Sequence, residues 1–326
     1  MAALANTVLT TAAVGNREEL SNIVSMITPT DTPIYSMAGK EKADSKHPEW
    51  EYEALRAPAE NAQPEGNEFD FDAQVAPTRV GNYTQIFRDT WIYSGTQQAV
   101  DNAGNQEKTA KAKMKAGINV RKDMEFAIVS NTASVATGVR YSGGLPSWLT
   151  SNVSRAGSNG GFSSGTGLTV AETTGAQRAL TKALLDTVMQ ACFNSGANVT
   201  DVVVSPYVKS VFVTFMSDSN VAAFRYSADG KGKNTIVGTA DIYEGPFGKV
   251  TVKPNRVMTT SATARRAFLL DPDMIAWKTL RPIQEAETAK TGDSEKGVII
   301  GEGTLKINNE AGLGVVADLY GLTSGT

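Results

Sequence analysis

Hydrophobic and polar positions alternate along two early stretches of the chain, which predicts two β-strands. Trp50 and Tyr52 share one side of stretch 50–55, and a second stretch rich in apolar residues covers 78–92. The segment between them, 56–76, contains prolines, a glycine and five acids, so it cannot build a core. Because a long structureless loop is unusual inside a compact domain, we expect a protruding hairpin whose loop lies on another chain.

The longest helical pattern runs from Gln106 to Asn131. Lysines are concentrated in its first half. The spacing predicts one stripe of Ala110, Met114, Ile118, Arg121 and Glu125, which Gly117, Met124, Phe126, Ile128 and Val129 widen near the end. A helix of that length spans about 39 Å. We interpret it as a spine that crosses a sheet.

The remaining segments predict shorter elements of both kinds. An uncharged segment, 1–14, predicts an extended arm, and the Gly/Ser-rich stretch 152–167 predicts a flexible surface loop. Strands at 274–280 and 298–307 flank charged residues and predict a long hairpin. The other predicted elements are helices at 16–27, 181–193 and 207–216, a buried strand at 201–206, a hairpin at 241–252 and a strand at 267–270.

Composition excludes several kinds of chemistry. The 326 residues carry 31 Lys and Arg against 34 Asp and Glu, a net charge of -3, and contain one histidine, His47, and one cysteine, Cys192. One His and one Cys cannot build a His/Cys metal site or a disulfide framework. A chain that coats nucleic acid needs a surplus of bases. A hydrolase that uses Ser205 or another serine with His47 stays as an unfavoured alternative.

The hydropathy pattern is the basis for predicting where the protein is made and folded. No apolar run approaches the roughly 18 residues of a transmembrane helix. Residues 1–15 lack Lys and Arg, and therefore lack the charged first region of a signal peptide. We expect synthesis in a reducing cytoplasm, with Cys192 as a free, buried thiol.

Six segments resemble one known family. The C-terminal stretch LRPIQEAETAKTGDSEKGVIIGEGTLKINNEAGLGVVADL resembles a signature of the SU-ten-like major head proteins of tailed phages. The chain departs from that family near Gly303 and Leu313, where it is glycine-rich. Five further segments are similar to the family, in its order: NREELSNIVSMITPTDTPIYS, SGTQQAVDNAG, NVRKDMEFAIVSN, GGLPSW and FGKVTVKPNR.

The resemblance implies an α+β chain with the Hong Kong-97 capsid fold. It divides the sequence into an arm, an extended loop, a peripheral domain with the spine helix at 106–131, an axial domain, and a peripheral hairpin with the C-terminus. The corresponding ranges are 1–46, 47–92, 93–150, 151–271 and 272–326.

The implied function is a major capsid protein that forms hexamers and pentamers of an icosahedral head around double-stranded DNA. The implied partners are further copies of the chain, a portal protein, a separate scaffolding protein and a decoration protein, with weak non-specific contact to the packaged DNA. No catalytic residue, cofactor or metal is expected. The alternative within the same fold is the shell of a cellular nanocompartment.

Three charged sets are the candidate contacts between subunits. We expect the acids of the extended loop to meet the bases of a neighbour's spine helix, and the hairpin tip, 288–296, to cluster at a local three-fold axis. The acidic set is Glu60, Glu65, Glu68, Asp70 and Asp72; the basic set is Lys108, Lys111, Lys113, Lys115, Arg121 and Lys122; the tip set is Lys290, Asp293, Glu295 and Lys296.

Overall fold

The computed structural model describes residues 30–66, 68, 71, 73–100, 108–215, 241–286, 288–290 and 292–323. The predicted arm 1–14 and helix 16–27 lie outside these residues. The helices are α1 Pro33–Met37, α2 Gly95–Ala99, α3 Lys108–Val129, α4 Lys182–Asn194 and α5 Pro206–Phe215, with 3-10 turns at Leu145–Ser147, Pro272–Met274 and Glu310–Gly312. The strands are β1 Gly39–Lys42, β2 Glu49–Tyr52, β3 Thr78–Gly81, β4 Gln85–Ser94, β5 Val153–Ser154, β6 Gly161–Ser163, β7 Leu168–Val170, β8 Asp201–Val204, β9 Ile242–Gly245, β10 Gly248–Pro254, β11 Ala267–Leu270, β12 Ile275–Ala286, β13 Ser294–Ile307 and β14 Gly314–Val316.

A four-stranded sheet has the order β1-β12-β13-β4. The hairpin β12/β13 confirms the predicted strand pair, although both strands are longer than predicted and the tip is correspondingly shorter. β13 pairs antiparallel with β4 from Ser294↔Ser94 to Gly303↔Gln85, and β1 adds parallel to β12. β4 therefore forms one edge of this sheet, and β1 forms the other.

The spine helix α3 packs on one face of this sheet. It is buried through Ala116, Val120, Met124 and Ile128, at the i, i+4 spacing of one helical face. The predicted stripe is wrong in its first half, since Met114 is 56% exposed, whereas Met124, Glu125, Ile128 and Val129 near its end are buried as predicted. Lysines surround Met114 in the sequence, and the apolar spacing that faces the sheet begins only at Ala116. The 22 helical residues span about 33 Å.

A second, six-stranded sheet has the order β5-β14-β11-β8-β10-β9. Helices α4 and α5 pack against it through Leu185, Val188 and Phe212. Its strand β8 has every residue buried, as the continuous apolar run predicted. The closing strand β14 lies between β5 and β11. It is thus part of this sheet, although we expected the C-terminal segment beside the peripheral hairpin.

The Gly/Ser-rich stretch 152–167 is structured, which corrects the prediction of a flexible loop. β5 pairs with β14, and β6 pairs with β7. Several of its glycines sit where a side chain has no room: a Cβ on Gly157 would lie 1.8 Å from the carbonyl oxygen of Thr173. Close backbone packing, as well as flexibility, therefore accounts for the composition.

Candidate assembly surfaces

The extended loop rises from a two-stranded base. β2 pairs antiparallel with β3 from Glu49↔Gly81 to Tyr52↔Thr78, which confirms the predicted hairpin. The described residues between these strands form no helix or strand, and all of them are exposed. Glu60, Glu65 and Glu68 are among them, whereas Asp70 and Asp72 lie outside the described residues.

Large apolar side chains of this loop also face solvent. Leu55 is 99% exposed, Phe71 96% and Val75 82%. Side chains of this size normally lie in a core or an interface, and several on one loop mark an interaction site. These three side chains are therefore almost uncovered by the part of the chain that the structure describes.

Asn82 fixes the base of the loop to the rest of the chain. Its buried amide nitrogen donates to the carbonyls of Leu305, at 2.8 Å, and Gly143, at 3.2 Å. Its amide oxygen accepts from the backbone N–H of Gly143 at 2.8 Å and from that of Tyr83 at 3.0 Å. A fully bonded, buried amide holds the adjacent strands in one relative position.

Glu302 provides a second anchor at Thr84, two residues beyond Asn82 in the chain. Its carboxylate, on the central strand β13, accepts from the Thr84 hydroxyl at 2.8 Å, Arg140 at 2.6 Å and Arg281 at 2.8 Å. The carboxylate is almost fully buried. The two arginines neutralise its charge, and Thr84 connects the network to the loop base.

Glu125 joins three parts of the molecule. It lies on α3 and is fully buried. Its carboxylate accepts from the backbone N–H groups of Ile34 at 3.1 Å and Tyr35 at 2.7 Å, at the start of α1, and from the amide of Asn255 at 2.6 Å. Burial raises the pKa of Glu125 above its usual value, against the lowering effect of these three hydrogen bonds and of the Lys40 charge.

The six predicted spine bases do not share one face. With 3.6 residues per turn, Lys108, Lys111, Lys115 and Lys122 fall on one stripe, whereas Lys113 and Arg121 point elsewhere. The Lys113 ammonium pairs with Glu285 of the hairpin at 3.0 Å, and Lys108 donates to the Gln97 carbonyl at 3.2 Å. Arg121 lies near Lys40 of the arm. Burial lowers the pKa of Lys40 to about 8, the Glu125 charge acts against this shift, and the Arg121 charge adds to it.

The hairpin tip and α2 together form a small cleft. Lys290, Asp293, Glu295 and Lys296 all line it, in a volume of about 180 Å³. The structure therefore brings the predicted tip residues together. Gln98 of α2 donates to the Glu295 carboxylate at 2.6 Å, so α2 fixes part of this charged surface within the chain.

Ser205 and His47 make contacts that differ from those of a nucleophile and its base. The fully buried Ser205 hydroxyl donates to the Gly321 carbonyl at 3.0 Å and accepts from the backbone N–H of Val208 at 3.2 Å. The His47 ring stacks on Tyr83, with centroids 4.1 Å apart. Burial lowers the pKa of His47. Ser205 thus caps α5, and His47 packs at the loop base.

Among the described residues, no helix combines the length and apolar character needed to span a bilayer. No group of three or more His, Cys, Asp or Glu side chains in the same part of the chain is arranged to hold a metal ion.

Sequence reasoning missed the roles of three residues that organise these surfaces: Asn82, Glu125 and Glu302. All three are polar residues whose role depends on partners distant in sequence, and no local pattern marks them.

Solved capsid structures share this fold. A chain of the Cyanophage A-1(L) capsid asymmetric unit matches with a TM-score of 0.66 and 12% identity, over 97% of this chain and 99% of that one. A chain of Mycobacterium phage Bobi gives 0.61 and 10%, over 95% and 96%. The capsid of a native GTA particle gives 0.58 and 12%, over 96% and 99%. These matches confirm the α+β class and show that the chain has the same fold as these capsid chains, the fold that the resemblance implied.

Sequence comparison narrows this class to a family. A family model described as SU10 major capsid protein matches residues 6–320. The chain belongs to the SU10 major capsid protein family, as the resemblance predicted. A major capsid protein of Escherichia phage Phieco32 is 31% identical over 121 residues, 36% of this chain and 34% of that protein, so the match spans about a third of the relative's length.

Family membership also distinguishes between the functions that the sequence left open. It favours a phage capsid protein over a nanocompartment shell or a serine hydrolase. A structural capsid family fits a protein without enzymatic activity.

Proposed function

We propose that this protein is the major capsid protein of a tailed phage, which self-assembles into hexamers and pentamers of an icosahedral head enclosing double-stranded DNA. The family match over residues 6–320 carries the proposal. The protein would be made in the cytoplasm of the bacterial host and reside in the virion.

The exposed loop is a physical reason for self-assembly. A chain that exposes Leu55, Phe71 and Val75 almost completely gains free energy by burying them against a second copy. Because every copy carries both a loop and a peripheral sheet, head-to-tail contacts can repeat around a ring. Closed rings of this kind are what hexamers and pentamers require.

We also propose the domain division that the resemblance implies: arm 1–46, extended loop 47–92, peripheral domain 93–150 with the hairpin and C-terminus 272–326, and axial domain 151–271. Two features refine it. β4 pairs with β13 and so contributes to the peripheral sheet, and β14 contributes to the sheet of the axial domain.

The acids of the loop and the bases of the spine helix are proposed to attract one another between copies. Lys108, Lys111, Lys115 and Lys122 offer a stripe for this contact, while Lys113 already has a partner in its own chain. Each exposed pair contributes little, but the contact recurs at every subunit.

Reversing the charges of Glu65, Glu68 and Asp70 to lysine should therefore impair assembly. The matched control reverses three exposed acids outside the loop, Asp44, Glu244 and Asp273. Particle yield by sucrose-gradient sedimentation is the readout. Normal particles from the loop variant would contradict the proposed charge pairing.

The tip set and the remaining partners complete the proposal. Lys290, Asp293, Glu295 and Lys296 would meet their equivalents at a local three-fold axis. A portal protein, a scaffolding protein and a decoration protein are further proposed partners, and the DNA would be held only by weak, non-specific contacts.

Negative-stain microscopy of the protein expressed alone tests the function. Round shells or ring-shaped capsomers are expected. A stable monomer at high concentration, measured by analytical ultracentrifugation, would contradict the proposal. Particles from infected cells that contain cargo enzymes and no DNA would instead favour a nanocompartment shell.

A further inference from the structure

His47 joins the two chain segments that enter and leave the extended loop. It lies two residues before β2, and its ring stacks on that of Tyr83, two residues after β3. The two rings are nearly parallel, with 4.1 Å between centroids and 13° between planes. Beside the stack, the backbone N–H of Thr84 donates to the Lys46 carbonyl at 2.9 Å. The stack is therefore part of the closed base of the loop.

The ring nitrogen Nε2 of His47 is shielded from solvent and has no hydrogen-bond partner among the described residues. The backbone of Gly81 lies close beside it, since a Cβ on Gly81 would be 2.7 Å from Nε2. A neutral imidazole tolerates this position, because one of its two nitrogens carries no proton. An imidazolium carries a proton on both nitrogens, and the N–H at Nε2 would be buried without an acceptor.

The charges around the ring do not compensate for this cost. Nδ1 of His47 lies 3.9 Å from a carboxylate oxygen of Glu49, which is beyond hydrogen-bond distance, and Glu49 is itself paired with Arg79 of β3. Burial lowers the pKa of His47, and the Glu49 charge acts against this shift. The charges of Arg79 and Lys46 add to it. The remaining neighbour, Tyr83, presents only the face of its ring. The folded loop base therefore favours the neutral histidine.

We infer that His47 is a pH-sensitive latch at the base of the extended loop. The neutral ring closes the base by stacking on Tyr83; the protonated ring leaves the stack, and the segments on either side of it separate. The loop then loses its fixed direction relative to the peripheral sheet, so a copy in mildly acidic solution no longer offers it in one orientation. Because the opening occurs within one chain, the inference goes beyond the proposed self-assembly and does not depend on it.

Acidification opens the base because the open form binds the proton more tightly than the closed form. A histidine whose folded pKa is lowered contributes stability that is present above the unfolded pKa and is lost as pH falls from that value through the folded pKa. Below both pKa values, each unit of difference between them shifts the ratio of open to closed base by about tenfold.

NMR of the unassembled protein tests the protonation step. His47 is the only histidine, so labelling with ¹³C-histidine gives a single imidazole Cε1–Hε1 signal. Its titration midpoint should lie below that of the same protein unfolded in urea. Tyr83→Ala, which removes the stacking partner, should move the folded midpoint toward the unfolded value. A folded midpoint at or above the unfolded one would overturn the inference.

Limited trypsin digestion measures the opening itself. Cleavage after Lys46 and Arg79, at the base, is compared with cleavage after Arg56 in the exposed limb of the loop, which corrects for the pH dependence of the protease. The ratio should rise between pH 7.5 and pH 5.5 in wild type and stay constant in His47→Phe, whose ring can stack but cannot be protonated. His47→Gln is a second variant without a titrating ring, for use if His47→Phe does not fold. A constant ratio in wild type, or an equal rise in the variants, would overturn the inference and leave the proposed function intact.

Discussion

Replacing Glu125 should detach the segment around α1 from the spine helix. The carboxylate is the acceptor for two backbone N–H groups at the start of α1 and for the amide of Asn255. Glu125→Ala removes all three hydrogen bonds. Glu125→Gln keeps the shape and one oxygen acceptor, but directs an NH₂ group at donors.

The expected cost follows from burial. Ile34 and Asn255 are fully buried, and a buried donor without a partner costs about 1–3 kcal/mol. The cost of burying the charge, which raises the pKa of Glu125, offsets part of the loss. We expect Glu125→Ala to lower the free energy of unfolding by about 2–4 kcal/mol, and Glu125→Gln by about 1–2 kcal/mol.

The pH dependence has a definite sign. An acid whose folded pKa is raised binds more protons in the folded state, so its contribution to stability falls as pH rises through the window between the unfolded and folded pKa values. The difference between wild type and Glu125→Ala should therefore be larger at pH 4 than at pH 7. Tyr35 and Lys40 also face the site: burial raises the pKa of Tyr35 and lowers that of Lys40 to about 8, so both pKa values lie above pH 7.

Two measurements test this reasoning. Urea denaturation of unassembled protein at both pH values gives the stability difference. Limited trypsin digestion should cut the variants faster than wild type at Lys40 and Lys42, which follow α1. Equal cleavage rates, or a stability difference that grows with rising pH, would refute the role assigned to Glu125.

Three further outcomes are expected. Burial would raise the pKa of Asp318, but hydrogen bonds from three backbone N–H groups outweigh it and lower this pKa. The stability that Asp318 contributes is therefore lost as pH falls through its folded-state pKa. Asp318→Asn should flatten the acid side of a thermal-unfolding pH profile. A Cβ on Gly144 would lie 2.0 Å from the Ser130 carbonyl oxygen, whereas one on Gly165 meets nothing within 4 Å; Gly144→Ala should lower the yield of soluble protein and Gly165→Ala should not. Burial raises the pKa of Cys192 to about 12, so Ellman's reagent should detect this thiol at pH 8 only after urea unfolding, and rapid labelling of native protein would contradict its burial.

The order of apolar and polar residues correctly predicted two kinds of element: strands whose two faces differ in polarity, and a strand that is apolar along almost its whole length. The hairpin of the extended loop, β8 and the pair β12/β13 are of these kinds. Helix α3 was predicted within two residues at each end, with bounds 106–131 against 108–129 in the structure. The first half of its buried face was mispredicted, because Met114 resembles a core residue in sequence but lies beside lysines on the solvent-exposed side of the helix.

Long-range pairing could not be read from the sequence. β14 is a three-residue apolar strand that would suit either sheet, and its register with β11 and β5 is set by the completed fold. The same holds for Glu125 and Glu302, whose partners are distant in sequence. The loop acids are evident from composition, but the cleft between the hairpin tip and α2 exists only after the chain has folded.

The hydrogen bonds of Asn82 and Glu302 hold the base of the extended loop in place, so the base acts as a pivot for the rest of the loop. Each limb has roughly twelve residues and can reach about 40 Å when extended. A rotation of about 5° at such a pivot would carry the tip through roughly 3.5 Å, close to one residue step along a strand. In a closed shell, we therefore expect small changes in the bonding of Asn82 or Glu302 to shift the position at which the loop meets another copy, and so to alter the local curvature.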